Sequence, residues 1–198
     1  MKTMKIRITL TEEMLGTASS NPEIHEDYIA SKAPDARSRE EEVAALGVEA
    51  VVDKGKTIFP KLDDGTPFLW DYQIKGFMKD ACGMLSRVPG TKSKGMKAYK
   101  KIIDGLLFPR PRKIPIHLSG EMGECQRPLR AQTLQGERVA LANSETVPAG
   151  SWMELEITML DDSLEPVVSE WLDYMTLRGL GQWRNSGKGR AEWQLLTA

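Results

Sequence analysis

Residues 179–190 read Gly-Leu-Gly-Gln-Trp-Arg-Asn-Ser-Gly-Lys-Gly-Arg. Gly179, Gly181, Gly187 and Gly189 set out the pattern G-x-G-x5-G-x-G, a backbone free to take positive φ and to approach a neighbour closely. Arg184, Lys188 and Arg190 place cations among its amides, so the loop is suited to hold a polyanion. Upstream, residues 165–177 space Val167, Val168, Trp171, Leu172 and Met175 as a helix does, and residues 190–197 alternate like a closing strand. The loop therefore runs from helix to strand. Dinucleotide fingerprints and Walker loops run from strand to helix, which argues against a nicotinamide or nucleoside triphosphate site.

Working outward, residues 1–10 alternate Ile6, Ile8 and Leu10 as a first strand, and residues 152–160 set Met153, Leu155, Ile157 and Met159 against Trp152, Glu154, Glu156 and Thr158. Residues 71–87 read as a helix with Ile74, Phe77, Met78, Ala81 and Leu85 inward, and a second, basic helix is expected over residues 93–107. Residues 113–118 are the candidate second core strand. Asp63-Asp64-Gly65 between residues 57–59 and 67–69 carries a hairpin signature. Residues 11–37 form a polar flap, residues 38–46 a short helix stopped by Gly47, and residues 127–142 an excursion that turns at residues 133–136. Leaving out the insertions, the order is strand, helix, strand, strand, helix, strand. The expected fold class is α+β, a ferredoxin-like or RRM-like βαββαβ core with an inserted thumb-like hairpin and an N-terminal flap. One domain over residues 1–198 is expected, with insertions at residues 11–66 and 119–147 and no internal repeat.

Composition narrows the classes further. Hydrophobic residues make up 40% and charged residues 28%, and no apolar run approaches a membrane span, so no membrane partner is expected. The first residues lack the apolar core of a secretion signal, and a cytoplasmic location is the expectation. Cys82 and Cys125 stand without a C-x-x-C; no metal, cofactor or disulfide framework is expected, and both thiols read as small packing residues. The net charge of −1 hides a segregation: residues 11–71 carry a net −8 and residues 72–138 a net +9. Such sorting places a basic face for nucleic acid beside an acidic one, or else clusters solvated helix faces.

The glycine-rich loop between last helix and last strand resembles the signature of the RAMP superfamily, the RNA-binding proteins of CRISPR effector complexes. Two further stretches carry the resemblance. Residues 71–80, Asp-Tyr-Gln-Ile-Lys-Gly-Phe-Met-Lys-Asp, behind a Gly-Thr-Pro-Phe-Leu entry at 65–69, resemble the family's Lys-Gly opening of the first helix. Residues 144–151, Ser-Glu-Thr-Val-Pro-Ala-Gly-Ser, resemble the entry to the third core strand in type III backbone subunits. The three matches follow the family's order across the last two thirds of the chain. The resemblance implies single-stranded RNA, guide RNA first, as ligand, and other RAMP-type subunits or copies of this chain as partners.

On that basis the RNA-contacting candidates are Gln73, Lys75, Gly76 and Lys79 on the first helix, Arg127 and Arg130 on the thumb, and Gly179, Gly181, Arg184, Gly187, Lys188, Gly189 and Arg190 in the loop. Lys75 and Lys79 lie one helical turn apart and can face one phosphate track, or simply solvent. Lys92, Lys94, Lys97, Lys100, Lys101, Arg110, Arg112 and Lys113 form the densest basic run. Trp183 reads as a base-stacking ring or as a staple of the loop onto the core, and core packing is the expectation; Trp70, Trp152, Trp171 and Trp193 read as core. The type III relatives place a catalytic aspartate after the first strand. Asp27, Asp35 and Asp53 stand in that region without the motif, and His25 has no placed partner, so no catalytic residue is assigned. The expected role is a non-catalytic subunit of a CRISPR-like ribonucleoprotein. Two rivals stay open: a phage- or prophage-encoded relative that interferes with such complexes, and a RAMP-type endoribonuclease.

Overall fold

A computed structural model describes residues 1–20, 56–133 and 136–196, with the side chains of residues 129–133 and 136–141 outside that description. The described chain falls into two compact units. The first takes its residues from Met1–Met14, Pro60–Met122 and Val147–Ala198, the second from Leu15–Phe59 and Gly123–Thr146. The helix expected over residues 38–46 and most of the flap lie outside the described residues.

In the first unit, strand β1 (Lys2–Leu10) buries Met4, Ile6, Ile8 and Leu10 on one face, the period of two that its sequence carries. It pairs antiparallel with β10 (Trp152–Met159) on one side and β11 (Ala191–Leu195) on the other. Strand β10 buries Met153, Leu155, Ile157 and Met159 on the same side as β1, because the register sets Ile8 opposite Met153 and Ile6 opposite Leu155. Strand β6 (Leu107–Arg110) completes an antiparallel sheet ordered β11-β1-β10-β6. Helices cover its apolar face: α1 (Asp71–Leu85) packs on β6 with Ile74, Phe77, Met78, Ala81 and Cys82 buried, and α3 (Glu165–Asp173) packs on β11 with Val168, Trp171 and Leu172 buried. Each fully buried aliphatic side chain of this layer contributes about 1.5–3 kcal/mol. The class is α+β.

Two departures from the sequence reading concern this layer. The second core strand is β6, not residues 113–118. Pro109 lacks the N–H of an interior strand, but among the described residues β6 is the sheet's last strand, paired with β10 alone, where a proline is tolerated. Residues 113–115 instead form β7 (Lys113–Pro115), which pairs with β5 (Phe68–Trp70) in a separate ribbon leading into α1. The basic helix is also shorter than expected: α2 spans Tyr99–Leu106. Its predicted start is held in another conformation, because the Glu170 carboxylate accepts from the N–H groups of Lys92 (2.6 Å) and Ser93 (3.1 Å) and from Ser93 Oγ (2.6 Å). Ser93 Oγ in turn accepts from Trp171 Nε1 at 2.9 Å, so a buried hydroxyl and a buried indole satisfy each other. Cys82 packs beside this network, and burial, with Glu170 nearby, pushes its thiol up to about 11. The helix expected over residues 165–177 ends at Asp173, and a further turn, α4 (Met175–Arg178), continues to the glycine loop.

The hairpin expected around Asp63-Asp64-Gly65 is present in short form, closed by one antiparallel bridge of Lys61 with Pro67 and by Phe68 N–H donating to Pro60 O at 3.0 Å. Leu62 and Thr66 bond across it, Asp64 Oδ1 accepts from the Thr66 N–H at 2.9 Å, and that bond holds the Asp64 carboxyl below its usual range. Beyond that bridge, residues 57–58 and 68–70 pair with other strands. Thr57–Ile58 (β4) belongs to the second unit, with β3 (Ala18–Ser19), β8 (Gly123–Thr133), Leu15 of β2 (Met14–Leu15) and residues 136–146 of β9 (Gly136–Val147). Strands β8 and β9 form a long antiparallel hairpin in register from Gly123 opposite Thr146 to Thr133 opposite Gly136, so the excursion turns where the sequence placed it.

Candidate nucleic-acid interface

The glycine loop closes on itself. All four glycines take positive φ, 77° at Gly179, 75° at Gly181, 82° at Gly187 and 72° at Gly189. At two of them the need is steric as well as torsional: a Cβ on Gly189 would overlap the Leu180 carbonyl oxygen, and one on Gly179 would overlap the Lys188 carbonyl oxygen. The close approach expected of this loop is therefore made by its own two legs. Leu180 N–H donates to the Gly189 carbonyl at 2.8 Å, and the return leg is strapped to the residues after β1 by Gly189 N–H to Glu13 O (2.8 Å) and Thr11 N–H to Arg190 O (2.8 Å).

Carboxylates hold Arg184 and Lys188 of the loop. Asp80, on α1, accepts from Arg178 Nε at 2.8 Å and from Arg184 at 2.9 Å, tying the first helix to a loop a hundred residues away. The bond to Asp80 raises the Arg178 guanidinium above its ordinary range. Arg178 also donates to Asn185 Oδ1 at 2.6 Å, and Lys188 pairs with Glu13. Arg178, Gly181, Gln182, Trp183, Arg184 and Asn185 enclose an open hollow of about 390 Å³. Trp183 sits at its rim with φ 55° and 39% of its surface exposed, so the expected packing into the core is not made. Of the other tryptophans expected in the core, Trp171 is fully buried, whereas Trp70, Trp152 and Trp193 are half-buried.

On α1, Lys75 and Lys79 converge on the end of α2. Lys75 Nζ donates to the Asp104 carbonyl at 3.1 Å and Lys79 pairs with the Asp104 carboxylate at 2.6 Å, placing both ammonium groups on one face of the helix. Gln73 Oε1 accepts from the Trp70 N–H at 2.8 Å and so caps the helix start. Gly76 is exposed with open space above it. Arg190 is exposed at the loop's end. In the second unit, Arg127 is buried in the hairpin and donates to Ser144 Oγ at 3.2 Å, while the Arg130 side chain lies outside the described residues.

Sequence reasoning missed the anionic half of this arrangement: Asp80, Glu13 and Asp104, and the arginine partner Arg178. Only Asp104, three to four residues past Lys101 and Lys100 in a basic segment, stood out locally; the other pairs join distant parts of the chain. Asp27, Asp35, Asp53 and His25 lie outside the described residues. His117 stacks on Trp152 at 3.9 Å between ring centroids. Among the described residues, no group of three or more His, Cys, Asp or Glu is placed to hold a metal ion.

No family model matches the chain, and no curated protein matches it. Among solved structures, a chain of type III-B Cmr-beta bound to cognate target RNA superposes with a TM-score of 0.51 at 11% identity, over 99% of this chain. This chain spans 60% of the length of that one. A chain of a type IV-B CRISPR complex superposes with a TM-score of 0.48 at 9% identity, over 100% of this chain and 91% of that one. At such identity the likeness to the Cmr-beta chain is one of fold alone.

Proposed function

We propose that this chain is a RAMP-type subunit that grips single-stranded RNA by its phosphates within a CRISPR-like ribonucleoprotein, with guide RNA and other such subunits, or copies of itself, as partners. The observation that carries this reading is the fold shared along 99% of the chain with a component of RNA-bound type III-B Cmr-beta. The sheet order β11-β1-β10-β6, with α1 and α2 before β6 and α3 and α4 before β11, supports a ferredoxin-like βαββαβ core. The intervals 15–59 and 123–146 of the second unit fall inside the expected insertions 11–66 and 119–147, which supports a core elaborated by a flap and a thumb. The convergence of Lys75 and Lys79 on one helix face supports a phosphate track there, and Arg178, Arg184 and Lys188 offer a second cationic cluster at the loop. In the free protein, carboxylates neutralise Lys79, Arg178, Arg184 and Lys188, while Lys75 donates to a backbone carbonyl; an RNA phosphate takes the carboxylates' place.

The test is binding of fluorescently labelled single-stranded RNA to the folded Lys75→Ala, Lys79→Ala double variant. Affinity falls by a similar factor for every sequence tried, and the slope of log affinity against log salt drops by about 2. Unchanged binding in a variant that melts like the parent refutes a phosphate track on α1.

A further inference from the structure

Where β5 and β7 feed the start of α1, aromatic rings alternate with cations. The Trp70 and Tyr72 rings lie within 14° of parallel, 6.2 Å apart between centroids, and Phe68 stands edge-on to Trp70 at 4.9 Å. The Arg112 guanidinium lies 5.5 Å from the Trp70 centroid and 5.7 Å from that of Tyr72. The Lys113 ammonium lies 5.4 Å from Phe68 and 5.9 Å from Trp70. Asp71 holds Arg112 in place through a 2.6 Å ion pair. Phe68 is buried and belongs to the core, but Tyr72 is 53% exposed and the Arg112 side chain 67%.

The pairing of a planar guanidinium with two near-parallel rings, Tyr72 exposed and Trp70 half-buried, is the surface chemistry that stacks an unpaired nucleobase. Its position strengthens the match. Tyr72, Lys75 and Lys79 stand at i, i+3 and i+7, so they share one face of α1 over about 10 Å of helix axis. Lys75 Nζ also lies 4.9 Å from the Phe108 ring, which continues the alternation of cation and ring along the edge strand β6. A strand of RNA laid along this face meets ammonium groups for its phosphates and rings for its bases.

We propose that Trp70, Tyr72 and Arg112 form a stacking platform for an unpaired base of single-stranded RNA, with Lys75 and Lys79 taking the adjoining phosphates. This rests on the RNA-binding reading above and adds base contact to it. Stacking of this kind is tolerant of sequence, since every base presents a π-face.

The experiment uses the full chain and two fluorescein-labelled oligomers of equal length: an unpaired RNA and the same ribose-phosphate chain without bases. The parent binds the RNA more tightly than the abasic chain. Tyr72→Ala weakens RNA binding roughly five- to a hundredfold and leaves abasic binding unchanged, while Tyr72→Phe, which keeps the ring, binds like the parent. Should Tyr72→Ala melt early, Tyr72→Leu keeps the apolar bulk without the ring and makes the same comparison. If the parent binds both oligomers equally and loss of the ring changes neither, the platform is refuted and RNA binding through phosphates stands. If neither oligomer binds, the RNA-binding reading fails and the platform falls with it.

Discussion

The glycine loop and the β5–β7 edge are both cationic, yet they dispose of their charge differently. In the loop, Arg178 and Arg184 face Asp80 and Lys188 faces Glu13, and the glycines that bring the legs together are filled by the loop's own backbone. At the edge, Arg112, Lys113 and Lys75 lie over aromatic rings, which attract a cation without cancelling its charge, and Asp71 is the carboxylate paired with Arg112. The loop is thus first a structural clasp; under the proposed reading, a phosphate would reach its cations only by displacing those carboxylates. At the edge, Lys75 and Lys113 offer their field to a ligand directly, while Arg112 shares its charge with Asp71.

The largest effect that can break this contrast is on stability. Gly189→Ala forces a Cβ into the Leu180 carbonyl and should cost more than about 3 kcal/mol, read as the shift of a urea midpoint. Gly65→Ala, at φ 85° but in open space, should cost only about 1–2 kcal/mol. A Gly189 variant no worse than the Gly65 variant would show that the loop is not the clasp described.

A second effect turns on Asp80. Asp80→Asn leaves Arg178 and Arg184 without their carboxylate, so RNA affinity at low salt should rise several-fold while stability drops by about 1 kcal/mol. A fall in affinity would mean that the latched geometry, rather than free charge, is what RNA needs. The smallest effect is that of Lys188→Ala, a partly exposed pair with Glu13: stability should change by at most about 1 kcal/mol while RNA binding weakens measurably. Binding equal to the parent's would make the loop structural alone and leave α1 and the β5–β7 edge as the cationic surface.

Local pattern carried the sequence reading a long way. Period-two burial in β1 and β10, the apolar stripe of α1 and the positive φ of the loop glycines were all legible, because each is written in neighbouring residues. Glycine spacing could not say what approaches the backbone, and the answer was Leu180 and Lys188 of the same loop. Strand β6 was missed because Leu107 reads as the end of a helix and Pro109 as a break, and its place at the sheet edge is a tertiary fact. The start of α2 was misplaced because Glu170, far along the chain, claims the amides of Lys92 and Ser93. The Asp80 and Glu13 contacts escaped for the same reason: each joins residues about a hundred or more positions apart.

The central claim, that this chain binds single-stranded RNA through its phosphates, is tested most directly by a salt titration of Kd for one unpaired RNA. Displacement of carboxylates by several phosphates releases counterions, so affinity should fall by orders of magnitude between low and moderate salt, linearly on a log–log plot. An affinity flat across the titration, or no binding at the lowest salt, would contradict it.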